Sequence, residues 1–281
     1  MQEEQIIAQA QQLVAARREQ RNAPGGSIWA SVLLGLILAI LLAFLLYPTP
    51  LPQKLLLAMG GVCGLRPAHS YFAGDVQLPL EARMTGIYGG VSITATWLLL
   101  RRRLGATRVG IRAVLGLLAL MFLSMVADGV NSTATDLGLS HPYTSTNLTR
   151  IVTGLLSGMS IAAVLAWAVA IKARPPVPQP GALFDRPQDL LPPLGLCALF
   201  GLLVVSQQPW VYYPVAVLSV GGLAFALAGA LILPTIVISG RGERITAPDQ
   251  LIVPGAVALL LALIILAALA VMRWSMIGPI A

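Results

Sequence analysis

Glu81 and Arg83 place an acid and a base side by side in "LPLEARMTGIYGG", residues 78–90, at the threshold of an apolar run. Asp128 stands near the end of another apolar run, and Arg150 opens a third. These residue types suit two kinds of chemistry. Arginine's planar fork matches a carboxylate or phosphate through paired hydrogen bonds. Arg83 and Arg150 are therefore plausible partners for Asp128, which would be costly in a membrane without one, or ligands for an anionic head group. Glu81, Asp128 and His69 are the candidates for proton transfer, although no nucleophile–base pair or catalytic motif accompanies them. The polar groups around them include Cys63, Arg66, Tyr71, Asp75, Asn131, His141 and Asn147, concentrated in or beside stretches 48–83 and 131–149.

The elements that must position these groups are membrane helices. Of 281 residues, 57% are hydrophobic and only 10% charged, and the mean hydropathy is +0.82. Soluble domains carry about 25% charged residues, so composition argues against a water-soluble fold. The net charge of +7 reads as an arginine excess that orients loops in a polytopic membrane protein, and no nucleic-acid partner is expected. Cys63 and Cys197 lie in very different segments and make no disulfide framework.

Seven segments are long and apolar enough for a hydrocarbon core of about 30 Å. They lie near 28–47, 84–100, 109–130, 150–171, 190–206, 211–239 and 250–272. The fold class is thus an all-α polytopic transmembrane bundle with about seven spans. The run 51–64 is too short and glycine-rich to cross and reads as an interfacial or re-entrant helix. With the N-terminus inside and the C-terminus outside, thirteen Lys and Arg fall in inside segments and five in outside ones. "RRR" at 101–103 is the strongest anchor. Stretches 48–83 and 131–149 then share the outer side.

Residues 1–27 read as a cytoplasmic segment, amphipathic or disordered, and not as a signal peptide. A four-span module at 28–172 carries the polar residues. A Pro-rich linker at 173–189 separates it from a three-span module at 190–281. In the latter, Pro214 and Pro234 are candidate kinks, and Trp210, Tyr212 and Tyr213 form a candidate aromatic belt. Gly86 with Gly90, and Gly154 with Gly158, are small-xxx-small pairs that let backbones approach closely. Arg83, Asp128, Asn131, Asn147 and Arg150 are accordingly expected to meet where the second, third and fourth spans pack together.

The stretch "CGLRPAHSYFAGDVQLPLEARMTGIYGG" at 63–90, with "ADGVNS" at 127–132 and "TSTNLTRIVTG" at 144–154, resembles the signature of a family of bacterial and archaeal membrane proteins, domain of unknown function 2085. The resemblance covers roughly residues 50–170. It implies a multi-pass protein of the bacterial cytoplasmic (plasma) membrane and brings no known activity. Relatives carry a histidine at the position of Gly64, an arginine at that of His69, and cysteines at those of Glu81 and Met84. Three cysteines and a histidine would suggest a thiolate metal or redox site. This chain cannot rebuild that site from the same positions. Cys63, His69 and Glu81 remain a weak mixed-ligand set, and no cofactor is expected.

Three functional readings follow. In the first, the polar cluster locks helices in a structural or assembly subunit, with the bilayer and another membrane protein as partners. The second is a binding or transport protein whose outward-facing Arg/Asp pocket takes an anionic small molecule or lipid head group. The third is a membrane-embedded enzyme with a degenerate metal or redox site.

Overall fold

The computed structural model describes residues 24–173, 181–238 and 248–278. The expected N-terminal segment lies outside the described residues up to residue 23, as do residues 174–180 of the linker. The chain is an all-α bundle, and the described residues form eight α-helices: α1 Pro24–Leu46, α2 Leu51–Met59, α3 Ala82–Leu100, α4 Arg112–Asp136, α5 Asn147–Ala173, α6 Leu191–Ser206, α7 Tyr212–Ile238 and α8 Ile252–Ile277. Six of them, α1 and α4 to α8, are long and apolar enough to cross a membrane. The sequence reading counted α3 as a seventh. Arg83 and a run of glycines and hydroxyl residues dilute its apolarity, while its 19 residues extend about 28 Å at 1.5 Å per residue.

That dilution fits its position. α3 lies at the centre of the bundle, packed against α5, α7 and α6. Thr85, Gly86, Gly90, Val91, Thr94 and Leu98 are all buried along its length. α1 is its opposite: Leu38, Leu41, Leu45 and Leu46 are exposed, and its main packing is against α8. A helix meeting acyl chains must be apolar; one surrounded by protein need not be.

Gly86 and Gly90 of α3 face Gly154 and Gly158 of α5. A Cβ placed on Gly86 would sit 2.5 Å from the Ile151 carbonyl oxygen, and one on Gly154 would sit 2.5 Å from that of Arg83. The backbones therefore touch, and any side chain here must push the helices apart. On the other face of α3, Gly222 of α7 closes on the Tyr88 carbonyl, and Ser92 Oγ donates to the Leu218 oxygen at 2.7 Å. The main core consequently draws on both sides of the Pro-rich linker, with Ile151, Leu155 and Met159 packed in one cluster with Phe200, Val204 and Val215.

The loops gather at two ends. At one, here the motif end, the nine-residue α2 follows α1, and Lys54 Nζ donates to the carbonyls of Phe44, Leu45 and Tyr47 at 2.9, 2.8 and 2.9 Å. The Phe44 and Leu45 oxygens lie in the last turn of α1, where carbonyls lack intrahelical partners and carry the negative end of the helix dipole. Arg273 of α8 donates to the Gly60 and Cys63 carbonyls, both at 2.8 Å. A two-strand hairpin pairs β1 Phe72–Ala73 with β2 Val76–Gln77. Its turn uses Gly74 at φ 61°, which a side chain would oppose, and the Gly74 N–H donates to the Gln207 carbonyl at 2.7 Å. At the opposite end, the Leu183 and Phe184 N–H groups donate to the carbonyls of Arg108 and Val109 at 2.9 and 3.0 Å. α3 runs from the first end to the second.

Two sequence expectations change in detail. Pro214 sits in the first turn of α7, where a missing N–H costs nothing, so only Pro234 is interior. Trp210 and Tyr213 are exposed, but Tyr212 is buried in the core and does not belong to a belt.

Candidate functional site

Threonines set the register of α5 at the motif end. Thr146 Oγ1 accepts the Thr149 N–H at 3.2 Å, and Thr149 Oγ1 accepts the Thr146 N–H at 3.0 Å. This reciprocal cap fixes where α5 begins, and with it Asn147 and Arg150. α3 lacks a side-chain cap at Glu81; Thr85 Oγ1 instead donates to the Leu80 carbonyl at 2.9 Å.

The innermost contacts centre on Asp128, whose side chain has no exposed surface. Arg83 Nη2 donates to Asp128 Oδ2 at 2.6 Å and to the Asp128 carbonyl at 3.2 Å. The second carboxylate oxygen, Oδ1, accepts Tyr143 Oη at 3.0 Å and Ser145 Oγ at 3.1 Å. Asn131 Nδ2 donates to the Tyr143 carbonyl at 2.6 Å and to Ser145 Oγ at 3.0 Å. Buried Arg83 Nε and Asn131 Oδ1 have no hydrogen-bond partner among the described residues.

Arg150 does not join Asp128. It is buried, and its fork donates to Asn147 Oδ1 and Ser132 Oγ, both at 3.0 Å. Asn147 Nδ2 in turn donates to the carbonyls of Ala68 and Ser70 at 3.2 and 3.3 Å. The three-way meeting of Arg83, Asp128 and Arg150 expected from charge is thus a pair and a separate neighbour. Tyr143 and Ser145 already occupy the carboxylate oxygen that Arg150 would need.

An outer strap lies above. Arg66 Nη1 is 3.0 Å from Asp136 Oδ2, its Nε is 3.4 Å from Glu81 Oε1, and its backbone N–H donates to the same Glu81 oxygen at 3.0 Å. His69 Nε2 lies 3.7 Å from Asp136 Oδ1. Burial, then the charges of Arg150 and Arg66, hold the His69 pKa below its ordinary value, so the ring meets Asp136 uncharged at neutral pH. His141 is exposed, with Nδ1 2.9 Å from the Leu139 carbonyl, and stands apart.

Cys63, His69 and Glu81 do not converge. Glu81 turns to Arg66 and His69 to Asp136, while Cys63 Sγ accepts the Glu81 N–H at 3.3 Å. Burial pushes the Cys63 thiol up from its ordinary pKa, which disfavours the thiolate that metal binding and nucleophilic attack require. Among the described residues no three His, Cys, Asp or Glu are placed to hold a metal ion.

Sequence reasoning missed Tyr143, Ser145, Ser132 and Asp136. Ser145 was visible in principle, because it opens the "STN" of the motif. A hydroxyl such as that of Tyr143 carries no spacing signal of its own.

Comparison with curated proteins and with solved structures gives no match. Residues 63–164 match the family model described as Predicted membrane protein (DUF2085). That stretch begins at Cys63, ends within α5, and contains every contact of the inner cluster and outer strap. Over residues 63–164 the chain is therefore similar to the DUF2085 family of predicted membrane proteins.

Proposed function

We propose that this multi-pass membrane protein is a structural or assembly subunit of a bacterial cytoplasmic membrane, in which the motif-end cluster locks α3, α4 and α5 and their loops into one unit. The observation that carries this reading is the complete occupation of Asp128. A carboxylate without exposed surface has one oxygen on Arg83 and the other on two hydroxyls. Such a network rigidifies where it is satisfied, and neither carboxylate oxygen of Asp128 is left open toward a ligand. In this reading the N-terminus lies inside, so the motif end faces outward.

The test is thermal unfolding of the purified protein in detergent. Arg83→Lys keeps the charge but loses the planar fork; the lock predicts a lower unfolding midpoint and less folded protein. Normal stability in Arg83→Lys, and in a variant neutralising Arg83, Asp128 and Arg150 together, removes the lock. A cysteine at exposed position 141 should label from outside intact cells, and labelling only from inside reverses the orientation.

A second reading, an outward-facing site for an anionic small molecule or lipid head group, rests on Arg150. Among the described residues its buried guanidinium is bonded to neutral groups only. This reading predicts that Arg150→Lys leaves abundance normal while abolishing stabilisation by an added anion.

A further inference from the structure

At the end opposite the motif cluster, a cavity of about 610 Å³ opens between the C-terminus of α3 and the N-terminus of α6. Its volume falls within the roughly 300–1,000 Å³ of small-molecule sites. Trp97, Arg101, Arg103, Asp185, Arg186 and Asp189 line it. The two carboxylates are already engaged. Asp185 Oδ2 lies 2.9 Å from Arg103 Nη2, and Asp185 Oδ1 accepts the Ala182 N–H at 2.8 Å. Asp189 Oδ2 accepts the Arg186 N–H at 2.9 Å. Among the described residues no carboxylate pairs with the guanidinium of Arg101 or of Arg186. The Arg101 guanidinium instead lies over the Trp97 ring, 5.7 Å from its centroid. That contact orients the fork by cation–π attraction without consuming its hydrogen-bond donors.

We infer that this cavity binds a phosphate-bearing anion, with Arg101 and Arg186 as its paired donors and Trp97 as the flat wall beside them. Arginine forks match phosphate oxygens in pairs. The cavity also lies where helices α3 and α6 end, the level at which lipid phosphates sit, and basic pockets at that depth take anionic head groups. The indole of Trp97 suits the same interface. A soluble phosphate offers the same oxygens, so source and site must be tested separately.

The experiment uses the full-length protein in zwitterionic detergent, titrated with dioctanoyl phosphatidylglycerol, dioctanoyl phosphatidylcholine or inorganic phosphate, and read by tryptophan fluorescence and the unfolding midpoint. Saturable binding of phosphatidylglycerol, at least tenfold tighter than phosphatidylcholine, is expected. Arg101→Gln with Arg186→Gln should weaken it about tenfold or more. Both side chains are exposed, so the fold should survive, and an unchanged unfolding midpoint without ligand verifies it. Arg102→Gln with Arg108→Gln removes equal charge outside the cavity and should change binding less than twofold. Saturation by phosphate without further effect of phosphatidylglycerol assigns the same site to a soluble anion. Three results overturn the site: no binding of either anion, equal binding of phosphatidylcholine, or equal losses in the two double variants.

Discussion

At the motif end, Arg83 meets a carboxylate with no exposed surface, and each oxygen of that carboxylate is taken. At the opposite end, Arg101 and Arg186 border a cavity of about 610 Å³, and no carboxylate among the described residues pairs with their guanidinium groups. One residue type thus serves two physical tasks. Paired with a fully buried carboxylate, the guanidinium makes a contact that is expensive to break. At the rim of a cavity, with no carboxylate among the described residues paired to it, it suits the anion proposed above. Burial and pairing, more than the presence of arginine, separate a lock from a binding site.

The sharpest way to break this comparison is Asp128→Ala, which leaves the partly buried Arg83 without its counter-charge. Loss of one partner of a buried pair costs about 3–5 kcal/mol, enough to deplete folded protein in detergent. A fall in midpoint no larger than that of an exposed-loop variant would dissolve the distinction between the ends. Gly154→Val comes next. Its side chain must enter a space where even a Cβ lies 2.5 Å from the Arg83 carbonyl, at an overpacking cost of about 1–3 kcal/mol or more. Because this contact holds α3 against α5 beside the Arg83–Asp128 pair, Gly154→Val combined with Asp128→Ala should cost less than the two separate losses. Strict additivity would mean that the glycine contact and the ion pair act independently.

The helical membrane fold was legible because hydropathy acts through long segments and needs no partner to be read. Gly86, Gly90, Gly154 and Gly158 were legible for a related reason: four-residue spacing puts each pair on one helix face. α3 was legible as a helix, but its central position was not, since a protein-lined helix and a poor lipid-facing one look alike in composition. The cluster was readable in part. Charge suggested Arg83, Asp128 and Arg150 together, yet charge alone cannot foresee that Tyr143 and Ser145 fill the second oxygen of Asp128. Lys54 on the end of α1 and Arg273 on the 60–64 turn escaped for the same reason. Both read as loop or interface charges until the helices that bring them to those carbonyls are packed.

A smaller effect sharpens the outer strap. His69 has a pKa held below its ordinary value by burial first and by Arg150 and Arg66 next, with Asp136 and Glu81 opposing. The unfolded ring therefore takes up a proton at higher pH than the folded one. Stability is full above the ordinary histidine value of about 6.5 and declines as pH falls through that value toward the lower folded one. The unfolding midpoint should drop between about pH 7 and pH 5.5, and His69→Gln should flatten that part of the profile. An unchanged slope in His69→Gln would assign the pH response to another group.

The smallest effect is expected from Arg103→Gln, and it bears most directly on what separates the ends. Arg103 and Asp185 form an ion pair at 2.9 Å, close to the 2.6 Å of Arg83 and Asp128, but their side chains are 27% and 45% exposed. Water and salt screen such a pair, which contributes about 0–1 kcal/mol. Arg103 also donates to the Ala182 carbonyl at 2.9 Å, so the 181–186 segment should loosen while the bundle stays folded. The expected result is a shift of a degree or two in midpoint in low salt, vanishing in high salt, against a large and salt-resistant loss for Asp128→Ala. Comparable, salt-insensitive losses from the two variants would show that the opposite end is as much a lock as the motif end, and the forks of Arg101 and Arg186 would then need a structural explanation.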